Sequence, residues 1–297
     1  MLPIESVNFH VWQPCNMHCG FCFAQFKDVR RDVLPEGHLP RDEALRVVRL
    51  LADAGFKKIT FAGGEPFLCP WIGDLLREAH ACGMVTCAVT NGTGVTEAVS
   101  FSSVLDWLVI SIDSVHRETL LLLGRATAGL AYSEAEYLAM CLAVVNSGIQ
   151  LKINTVVTQR NWQENLGALI AQARPARWKI LQMLPVAGQN DRHKLQLHVT
   201  AEQFYAFVSA QRAAVPDSVT IVAEDNNAMT GSYAMLDPAG RFFDNVDGSY
   251  TYSDSILLHG VVHALSQVVI DPAKFIARGG YYDWSRTEAQ HIADIPA

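Results

Sequence analysis

Short apolar runs and amphipathic stretches alternate along the first 180 residues or so of the chain. Runs rich in Val, Ile and Phe predict strands, whereas apolar residues three or four positions apart predict helices. In chain order the pattern predicts strand Val7–Trp12, helix Arg41–Ala54, strand Lys58–Phe61, helix Trp71–Cys82, strands Val85–Thr90 and Trp107–Ile112, helix Ser133–Val145, strand Gln150–Val157, helix Gln163–Gln172 and strand Trp178–Leu184.

Six strand–helix units of this kind predict a parallel sheet with right-handed crossovers. Because a closed barrel of this type has eight units, we expect an α/β fold with a curved, partial (β/α)6 TIM-like barrel. Sites in such folds lie at the carboxyl ends of the strands. Cys15, Gly63, Asn91 and Asp113 all come just after predicted strands, so the polar motifs should share one rim.

The pattern becomes less regular after Leu184, which indicates an α+β C-terminal cap over the open side of the barrel. We expect residues 1–184 to form the barrel core and residues 185–297 the capping extension, within one compact unit. The extension is predicted to contain a loop at Pro185–Lys194, a helix at Ala201–Ala213, a short strand at Thr220–Ala223, a hairpin around Asp237–Gly240 and a helix near Ser255–Ser266.

Composition narrows the possible partners. The 297 residues are 50% hydrophobic and 18% charged, with a net charge of −7 and a pI of about 5.8. Such a chain offers no basic surface to duplex nucleic acid or to an anionic membrane, and no apolar run is long enough to cross a bilayer. Seven cysteines, three of them clustered, predict a reducing, cytoplasmic setting.

The clustered cysteines are Cys15, Cys19 and Cys22, in a C-x3-C-x2-C pattern. Three thiolates on one loop can hold three irons of a 4Fe–4S cluster and leave the fourth iron open to a small molecule. The spacing is the signature of radical S-adenosylmethionine (SAM) enzymes, whose open iron binds SAM. The alternative is a structural Cys3His zinc site that uses His10 or His18. Such sites staple short domains, and this chain needs no staple.

Two other motifs suggest ligand binding. Gly63, Gly64, Glu65 and Pro66 follow a strand, and their glycines let backbone approach a ligand closely. Together with the cysteine motif, they indicate the site for the SAM amino group. On the first strand Asn8, His10 and Trp12 face the barrel interior. Asn8 and His10 either bind a polar ligand there or hydrogen-bond each other.

Cations on the predicted inner strands indicate an anionic ligand. Lys152 shares a strand face with Asn154, and Arg177 shares one with Lys179. Burying these charges is costly unless they are paired or face a charged ligand, and phosphate is the usual partner. Lys27 and Arg278 either join this site or are solvated surface residues. Arg278-Gly279-Gly280 could also supply backbone amides to a phosphate nest. Tyr233, on the cap, either donates hydrogen or only packs.

Several segments, in the same order, resemble the viperin family of radical SAM enzymes across residues 7–285. They are Cys-Asn-x-x-Cys-Gly-Phe-Cys-Phe, Phe-Ala-Gly-Gly-Glu-Pro-Phe-Leu, Ile-Ser-Ile-Asp-Ser, Gly-Arg, Leu-Lys-Ile-Asn-Thr-Val, Arg-Trp-Lys-Ile-Leu-Gln and Arg-Gly-Gly-Tyr-Tyr-Asp-Trp-Ser. The first two are general to radical SAM enzymes, and the last two are specific to viperin and its prokaryotic relatives.

The resemblance implies dehydration of a ribonucleoside triphosphate in antiviral defence. Reductive cleavage of SAM gives a 5′-deoxyadenosyl radical that takes the ribose 4′ hydrogen, and loss of the 3′ hydroxyl leaves a 3′-deoxy-3′,4′-didehydro chain terminator. It also implies site residues. SAM would be bound by Gly63, Gly64, Glu65, Pro66, Asn91, Ser111 and Arg125, the triphosphate by Lys27, Lys152, Arg177 and Lys179, and the ribose or base by Asn8, His10 and Asn154, with Tyr233 as hydrogen donor.

The resemblance also implies partners, namely an external electron donor of flavodoxin or ferredoxin type and iron–sulfur loading machinery. The animal enzymes carry an N-terminal amphipathic helix and a terminal tryptophan used in cluster loading. Neither is found here, so we expect no membrane anchor and other loading contacts. His18 replaces a common lysine. CTP, UTP and GTP stay open as substrates, with base choice expected near Asn226 or Asn227. The rival functions are cofactor or peptide maturation by a radical SAM enzyme, and a non-catalytic defence scaffold.

Overall fold

The computed structural model of the chain describes residues 2–284. The expectation about cluster-loading contacts concerns the end of the chain, which lies outside these residues. The described strands are β1 Ser6–Trp12, β2 Lys58–Gly63, β3 Val85–Thr90, β4 Trp107–Ser111, β5 Gln150–Val157, β6 Arg177–Gln182, β7 Thr220–Glu224, β8 Ala234–Leu236, β9 Arg241–Asp244 and β10 Thr251–Ser255. The described α-helices are α1 Lys27–Asp32, α2 Arg41–Asp53, α3 Ile72–Ala81, α4 Val95–Ser100, α5 Arg117–Leu123, α6 Glu134–Asn146, α7 Gly167–Ala173, α8 Lys194–Leu197, α9 Ala201–Ala214, α10 Asn226–Met229, α11 Ile256–His259, α12 Val261–Leu265 and α13 Pro272–Ala277.

All ten strands belong to one sheet, in the order β10-β9-β8-β1-β2-β3-β4-β5-β6-β7. Strands β1 to β7 are parallel to their neighbours, β8 is parallel to β1, and the β8–β9 and β9–β10 pairs are antiparallel. The α/β partial barrel expected from the sequence is therefore confirmed. Its first six strands run in sequence order, as a series of βα units predicts.

Alternating side chains place the apolar core between the barrel and its outer helices. On β5 the residues Leu151 and Ile153 are buried, while Lys152 and Asn154 point to the other, half-buried face. Helices pack on the outer face through apolar stripes, as α2 does with Leu51 and its other buried residues. The polar face of β5 is therefore left to line the interior of the barrel.

A register shift changes the direction of one β1 side chain. The pairing of β1 with β2 is irregular between His10 and Trp12. Asn8 and His10 line the barrel interior as predicted, but Trp12 does not. It stacks on His38 at 4.0 Å and meets Trp71 edge-on. A bulge of this kind re-aims the side chain that follows it, so the prediction for Trp12 was wrong.

The C-terminal third extends the sheet at both edges. The short strand predicted in this region is β7, a seventh parallel strand beside β6. The predicted hairpin is formed by β8 and β9 around Asp237–Gly240. The helix predicted near residues 255–266 is split into α11 and α12, because Gly260 has a φ of 80°. The described part of the extension thus continues the barrel wall, while its role as a cap stays a prediction.

The two ends of the parallel wall meet at a seam between β7 and β8. These strands are seven spacings apart along the sheet, which would be about 34 Å in a flat sheet. Yet Glu224, at the end of β7, accepts a hydrogen bond from the hydroxyl of Tyr233, which precedes β8. The sheet therefore curls until β7 faces β8. Residues 225–233, including α10, connect the two strands across the seam.

Helix ends in the structure are specified by local signals. Ser133 caps α6 and forms a capping box with Glu136, as the polar residues before that apolar run suggest. Short helices such as α5 and α13 were not predicted, because six or seven residues carry too little periodicity. Within residues 2–284 no helix has the length and apolar character needed to cross a membrane.

Candidate active site

A cavity of about 770 Å³ occupies the barrel interior. Seventeen of the nineteen predicted site residues line it. The two that do not are Glu65 and Pro66. The cavity lies within the size range of ligand pockets, roughly 300–1,000 Å³. The residues selected from the sequence therefore surround one space, with the cysteines at one end and most of the cations at the other.

The cysteine loop is fixed to the end of α5. The His18 amide donates to the carbonyl of Gly124 at 3.1 Å, and the Gly20 amide donates to that of Leu123 at 3.0 Å. Gly124 has a φ of 76°, and a Cβ there would lie 2.2 Å from the His18 carbonyl oxygen. Only glycine allows this approach. The helix end thus sets the shape of the loop that presents the cysteines.

Among residues 2–284, neither candidate histidine is placed to complete a Cys3His zinc site with the three thiols. All three are free thiols, and burial raises the pKa of Cys19 to about 11 and that of Cys22 to about 12. Within residues 2–284, neither His10 nor His18 forms with the cysteines a group of ligand atoms mutually within 4.8 Å. Ligands of one zinc ion lie about 4 Å or less apart. The donor set therefore fits a 4Fe–4S cluster.

A buried ion pair lies beside the cysteines. Arg125 Nε is 2.7 Å from Asp113 Oδ2, and both side chains are almost fully buried. The Nη1 atom of the same guanidinium is 3.7 Å from Cys19 Sγ. Asp113 also accepts the Val156 amide at 2.8 Å, which holds the carboxylate in place. Asp113 thus orients the Arg125 guanidinium toward the cluster position.

The glycines of the Gly-Gly-Glu-Pro turn pack directly on the cysteine loop. A Cβ at Gly64 would lie 2.2 Å from the Pro14 carbonyl oxygen, and one at Gly63 would lie 2.3 Å from that of Trp12. Gly63 also has a φ of 137°. Side chains at these positions would push the two loops apart. Both glycines line the cavity, so their backbone is open to a ligand.

Glu65 lies behind the cavity wall and is 1% exposed. Its carboxylate accepts hydrogen bonds from Thr90 Oγ1 at 2.9 Å, the Asn91 amide at 2.7 Å and the Phe67 amide at 3.2 Å. Burial raises its pKa to about 7. These bonds fasten the turn to the end of β3. Contact between Glu65 and the SAM amino group stays a prediction, because all the bonds described here are internal.

Asn91 and Ser111 extend the wall at the ends of β3 and β4. Asn91 Nδ2 donates to Asn16 Oδ1 at 2.8 Å and lies 3.8 Å from Cys15 Sγ. Thr93 donates through its amide to Asn91 Oδ1 at 3.0 Å. The amide group of Asn91 is therefore held against the first cysteine. Both residues reach the same end of the cavity, as a shared cofactor site requires.

His10 is the most isolated polar group in the middle of the cavity. Its ring is 3% exposed and lies against Phe23, Phe26 and Phe243. Burial lowers its pKa to about 3, so the imidazole is neutral. Among the described residues, neither ring nitrogen has a hydrogen-bond partner. The alternative in which Asn8 and His10 bond each other is therefore wrong, and both ring nitrogens are available to a ligand.

Cations converge at the far end of the cavity. Lys152 and Arg177 are adjacent on β5 and β6, and Arg177 stacks 3.9 Å above the Tyr282 ring. Lys58, which the sequence analysis missed, also donates to the Tyr282 hydroxyl. Burial and the charges of Lys152 and Arg177 lower the pKa of Lys58 to about 7. Such unfavourable proximity of like charges indicates a site for an anion.

Lys179 and Arg278 are paired instead with a buried carboxylate, Glu224. Lys179 Nζ lies 2.7 Å from Glu224 Oε1, and Arg278 Nη1 lies 3.2 Å from the same atom. Arg278 is 9% exposed, which excludes a solvated role. The predicted phosphate nest is wrong, because the amides of Gly279 and Gly280 donate to carbonyls of α13. Helix α13, which is too short to predict from the sequence, thus uses the backbone amides that a phosphate nest would need.

Lys27 begins α1 and is exposed at the mouth of the cavity. Three residues that the sequence analysis did not select complete the cationic end, namely Lys58, Glu224 and Tyr282. Lys58 and Tyr282 line the cavity, whereas Glu224 lies behind it. Of these three residues, only Lys58 could have been found from the sequence. Alternation along its strand places Lys58 on the same inward face as Thr60 and Ala62.

Comparison with known proteins identifies the class to which the chain belongs. The family model for the Radical SAM superfamily matches residues 11–166. SuiB of Streptococcus suis, in its complex with SAM, superposes with a TM-score of 0.60 at 16% identity, over 80% of this chain and 59% of that one. This likeness shows the fold. Fold, cysteine loop and matched model together define a radical SAM protein.

Closer relatives identify the family within that class. A protein of Lacinutrix mariniflava is 47% identical over 97% of this chain, and one of Flammeovirga pacifica is 44% identical over 95%. Both are named S-adenosylmethionine-dependent nucleotide dehydratase. The chain spans 60% of the length of the first and 96% of the second. The chain belongs to this family of SAM-dependent nucleotide dehydratases, the viperin family. Its cofactors are a 4Fe–4S cluster and SAM.

Proposed function

We propose that the chain dehydrates a ribonucleoside triphosphate to its 3′-deoxy-3′,4′-didehydro analogue, a chain terminator that serves antiviral defence. One observation carries the proposal. A single cavity joins a three-cysteine loop at one end to a group of buried cations at the other. A nucleotide whose triphosphate lies among the cations would extend its ribose toward the cofactor. The names of the relatives at 44–47% identity support the same reaction class.

The cationic end is suited to a polyphosphate. Lys58, Lys152 and Arg177 are held close together without a carboxylate partner among the described hydrogen bonds and ion pairs. Burial lowers the pKa of each. A triphosphate would restore favourable charge pairing, with Arg177 able to bind two oxygens at once. Lys179 and Arg278 contribute further charge beside them, and Lys27 contributes charge at the mouth.

At the opposite end, Cys15, Cys19 and Cys22 would hold the cluster, and the Gly63–Pro66 turn with Asn91, Ser111 and Arg125 would hold SAM. When bound, these cofactors supply reductive cleavage of SAM and removal of a substrate hydrogen atom. The protein fixes the distance between cofactor and ribose and excludes water from the barrel interior. The buried Asp113–Arg125 pair supports the binding of a carboxylate close to the cluster.

Between the two ends, Asn8, His10 and Asn154 supply hydrogen bonds to the ribose or base. His10 is neutral and has both ring nitrogens free among the described contacts, so it can donate at one and accept at the other. Tyr233 would donate hydrogen late in the reaction. Its hydroxyl lies 2.9 Å from Lys179 Nζ at the cavity wall. The base can be cytosine, uracil or guanine.

The reaction needs electrons and cluster assembly from outside the chain. We propose an external donor of flavodoxin or ferredoxin type that approaches the cysteine loop, where His18 is exposed, and a separate iron–sulfur loading system. The cytoplasm is the proposed compartment, because the seven cysteines of the chain are all free thiols and a reducing setting preserves them.

The test is anaerobic turnover of reconstituted protein with SAM, a strong reductant and each of the four ribonucleoside triphosphates in turn. We expect 5′-deoxyadenosine and a product that has lost one water from one or more nucleotides, identified by mass spectrometry. Lys152→Met should raise the KM for nucleotide by at least about tenfold, because it removes a charge-assisted contact to phosphate. Lys194→Met, at an exposed position, is the matched control.

Two results would favour the rival functions. SAM cleavage that ignores nucleotides but responds to a peptide would indicate a maturase. A Cys19→Ala variant that still protects cells against virus would indicate a scaffold, since a radical SAM enzyme loses its cluster with that thiol.

A further inference from the structure

Glu224 is the centre of a buried polar group at the seam. Its side chain is 0% exposed, and it receives the Tyr233 hydroxyl hydrogen bond together with the ion pairs from Lys179 and Arg278. Arg278 also donates to the Ser232 carbonyl at 3.0 Å, immediately before Tyr233. Glu224, Lys179 and Arg278 therefore all contact Tyr233, and Arg278 also holds the residue before it.

The geometry around the phenol ring is as restrictive as the hydrogen bonds. The Arg278 guanidinium lies 3.6 Å from the centroid of the Tyr233 ring and covers one face of it. Lys179 Nζ is 2.9 Å from the Tyr233 oxygen. Both cations are themselves held by Glu224. Loss of the carboxylate would remove the acceptor that Lys179, Arg278 and the phenol hydroxyl share, so the phenol would lose its fixed position.

A carboxylate is unexpected in a phosphate site, because it repels the ligand. Burial would raise the pKa of Glu224, but Lys179 and Arg278 lower it to about 2, so the group is an anion. Glu224 does not line the cavity, whereas Lys179, Tyr233 and Arg278 do. Glu224 therefore cannot contact the substrate, and its negative charge would oppose phosphate binding. Its role is explained by the side chains that it holds in place.

We infer that Glu224 is the positioning residue for Tyr233, and that it fixes the phenol, Lys179 and Arg278 as one unit facing the nucleotide. The inference takes the hydrogen-donating role of Tyr233 from the proposed function. The contacts between Glu224 and its neighbours do not depend on that function. Since a displacement of about 1 Å at a reacting group can cost about a hundredfold in rate, a residue that holds the donor should govern the yield of product.

The test measures dehydrated nucleotide formed per SAM cleaved in the wild type, Glu224→Gln, Glu224→Asp and Tyr233→Phe, with Glu202→Gln as an exposed control. Gln has the same size but places an N–H2 donor group among the cations. We expect this ratio to fall about tenfold or more in Glu224→Gln and less in Glu224→Asp, which keeps the charge. Iron content should be unchanged, since the cysteine loop is not involved.

A double-mutant cycle separates positioning from general damage. At saturating nucleotide, where weaker phosphate binding by Lys179 and Arg278 no longer limits the reaction, adding Glu224→Gln to Tyr233→Phe should cause no further loss in the ratio if Glu224 acts through Tyr233, whereas independent effects would multiply. A wild-type ratio in Glu224→Gln, or multiplied losses in the double variant, overturns the inference.

A second measurement needs no turnover. With 3-fluorotyrosine at position 233, the fluorine resonance should be a single line in the wild type and should shift or split in Glu224→Gln. An unchanged resonance overturns the inference even if no nucleotide reacts. An inactive wild type with the expected spectral change refutes only the proposed dehydration.

Discussion

Lys58 should make nucleotide binding depend on pH in a way that can be calculated. Its side chain is 4% exposed and lies 4.4 Å from the Tyr282 ring centroid, with Trp107 and Trp284 also nearby. Burial lowers its pKa to about 7. Below pH 7 the ammonium is already charged in the free protein. Above pH 7, binding of a triphosphate must first add a proton to Lys58, so affinity falls as pH rises.

The size of this change in nucleotide affinity follows from the lowered pKa of Lys58. If bound triphosphate keeps Lys58 charged throughout, the fraction of free protein that is already protonated sets the relative affinity. Between about pH 7.5 and about pH 9 that fraction falls about twenty-four-fold, which corresponds to ~1.9 kcal/mol. Burial also lowers the pKa of Lys152.

Isothermal titration calorimetry of cluster-free protein with CTP measures this dependence, since neither the cytosine nor the phosphate groups of CTP titrate appreciably in that range. Repeating the titration in buffers of different ionisation enthalpy counts the protons taken up. Lys58→Met should bind more weakly at the lower pH and lose most of the pH dependence. Lys194→Met, exposed on α8, should behave like the wild type.

A wild-type affinity that is constant across this range, with no proton uptake, would contradict a role for Lys58 in this pH dependence. A Lys58→Met variant that retains the full slope would contradict it too, because another group would then be responsible.

Three further changes test the site and its support. Gly64→Ala should prevent stable iron incorporation and lower stability by about 3 kcal/mol, because its Cβ would lie 2.2 Å from the Pro14 carbonyl oxygen; normal iron content would contradict this. Glu65→Ala should cost about 2–4 kcal/mol in denaturant unfolding by leaving the Asn91 amide unpaired, along with a threonine hydroxyl; a loss below about 1 kcal/mol would show that water replaces the carboxylate. Tyr137→Phe should be neutral or stabilise by up to about 1 kcal/mol, because that buried hydroxyl has no partner among the described residues; a clear loss of stability would reveal one.

Local patterns were sufficient for the barrel and for the cysteine loop. Strands such as Trp107–Ser111 are apolar on both faces and are bounded by turn residues, so their limits can be read from the chain to within a residue. Alternation on β5 also predicted which face carries Lys152 and Asn154, and the cavity lining agrees. These features depend on neighbours within a few positions.

What could not be predicted depends on contacts between distant segments. Nothing in the residues around Glu224 indicates that β7 ends opposite Tyr233, because the seam exists only once the sheet has curled. Strand alternation puts Lys58 on the inward face of β2, but only the folded chain shows that Tyr282, more than two hundred positions away, covers it. Trp12 was misdirected by a bulge that the sequence does not mark.

The seam between β7 and β8 gives the barrel one wall that main-chain hydrogen bonds do not close. Elsewhere the cavity can widen only by unpairing strands, whereas here side-chain exchanges alone can change its width. Side-chain substitutions along this seam could therefore fit the cavity to a larger or smaller ligand while the paired strands stay unchanged. We expect relatives that prefer different ligands to diverge in sequence most strongly in residues 225–232.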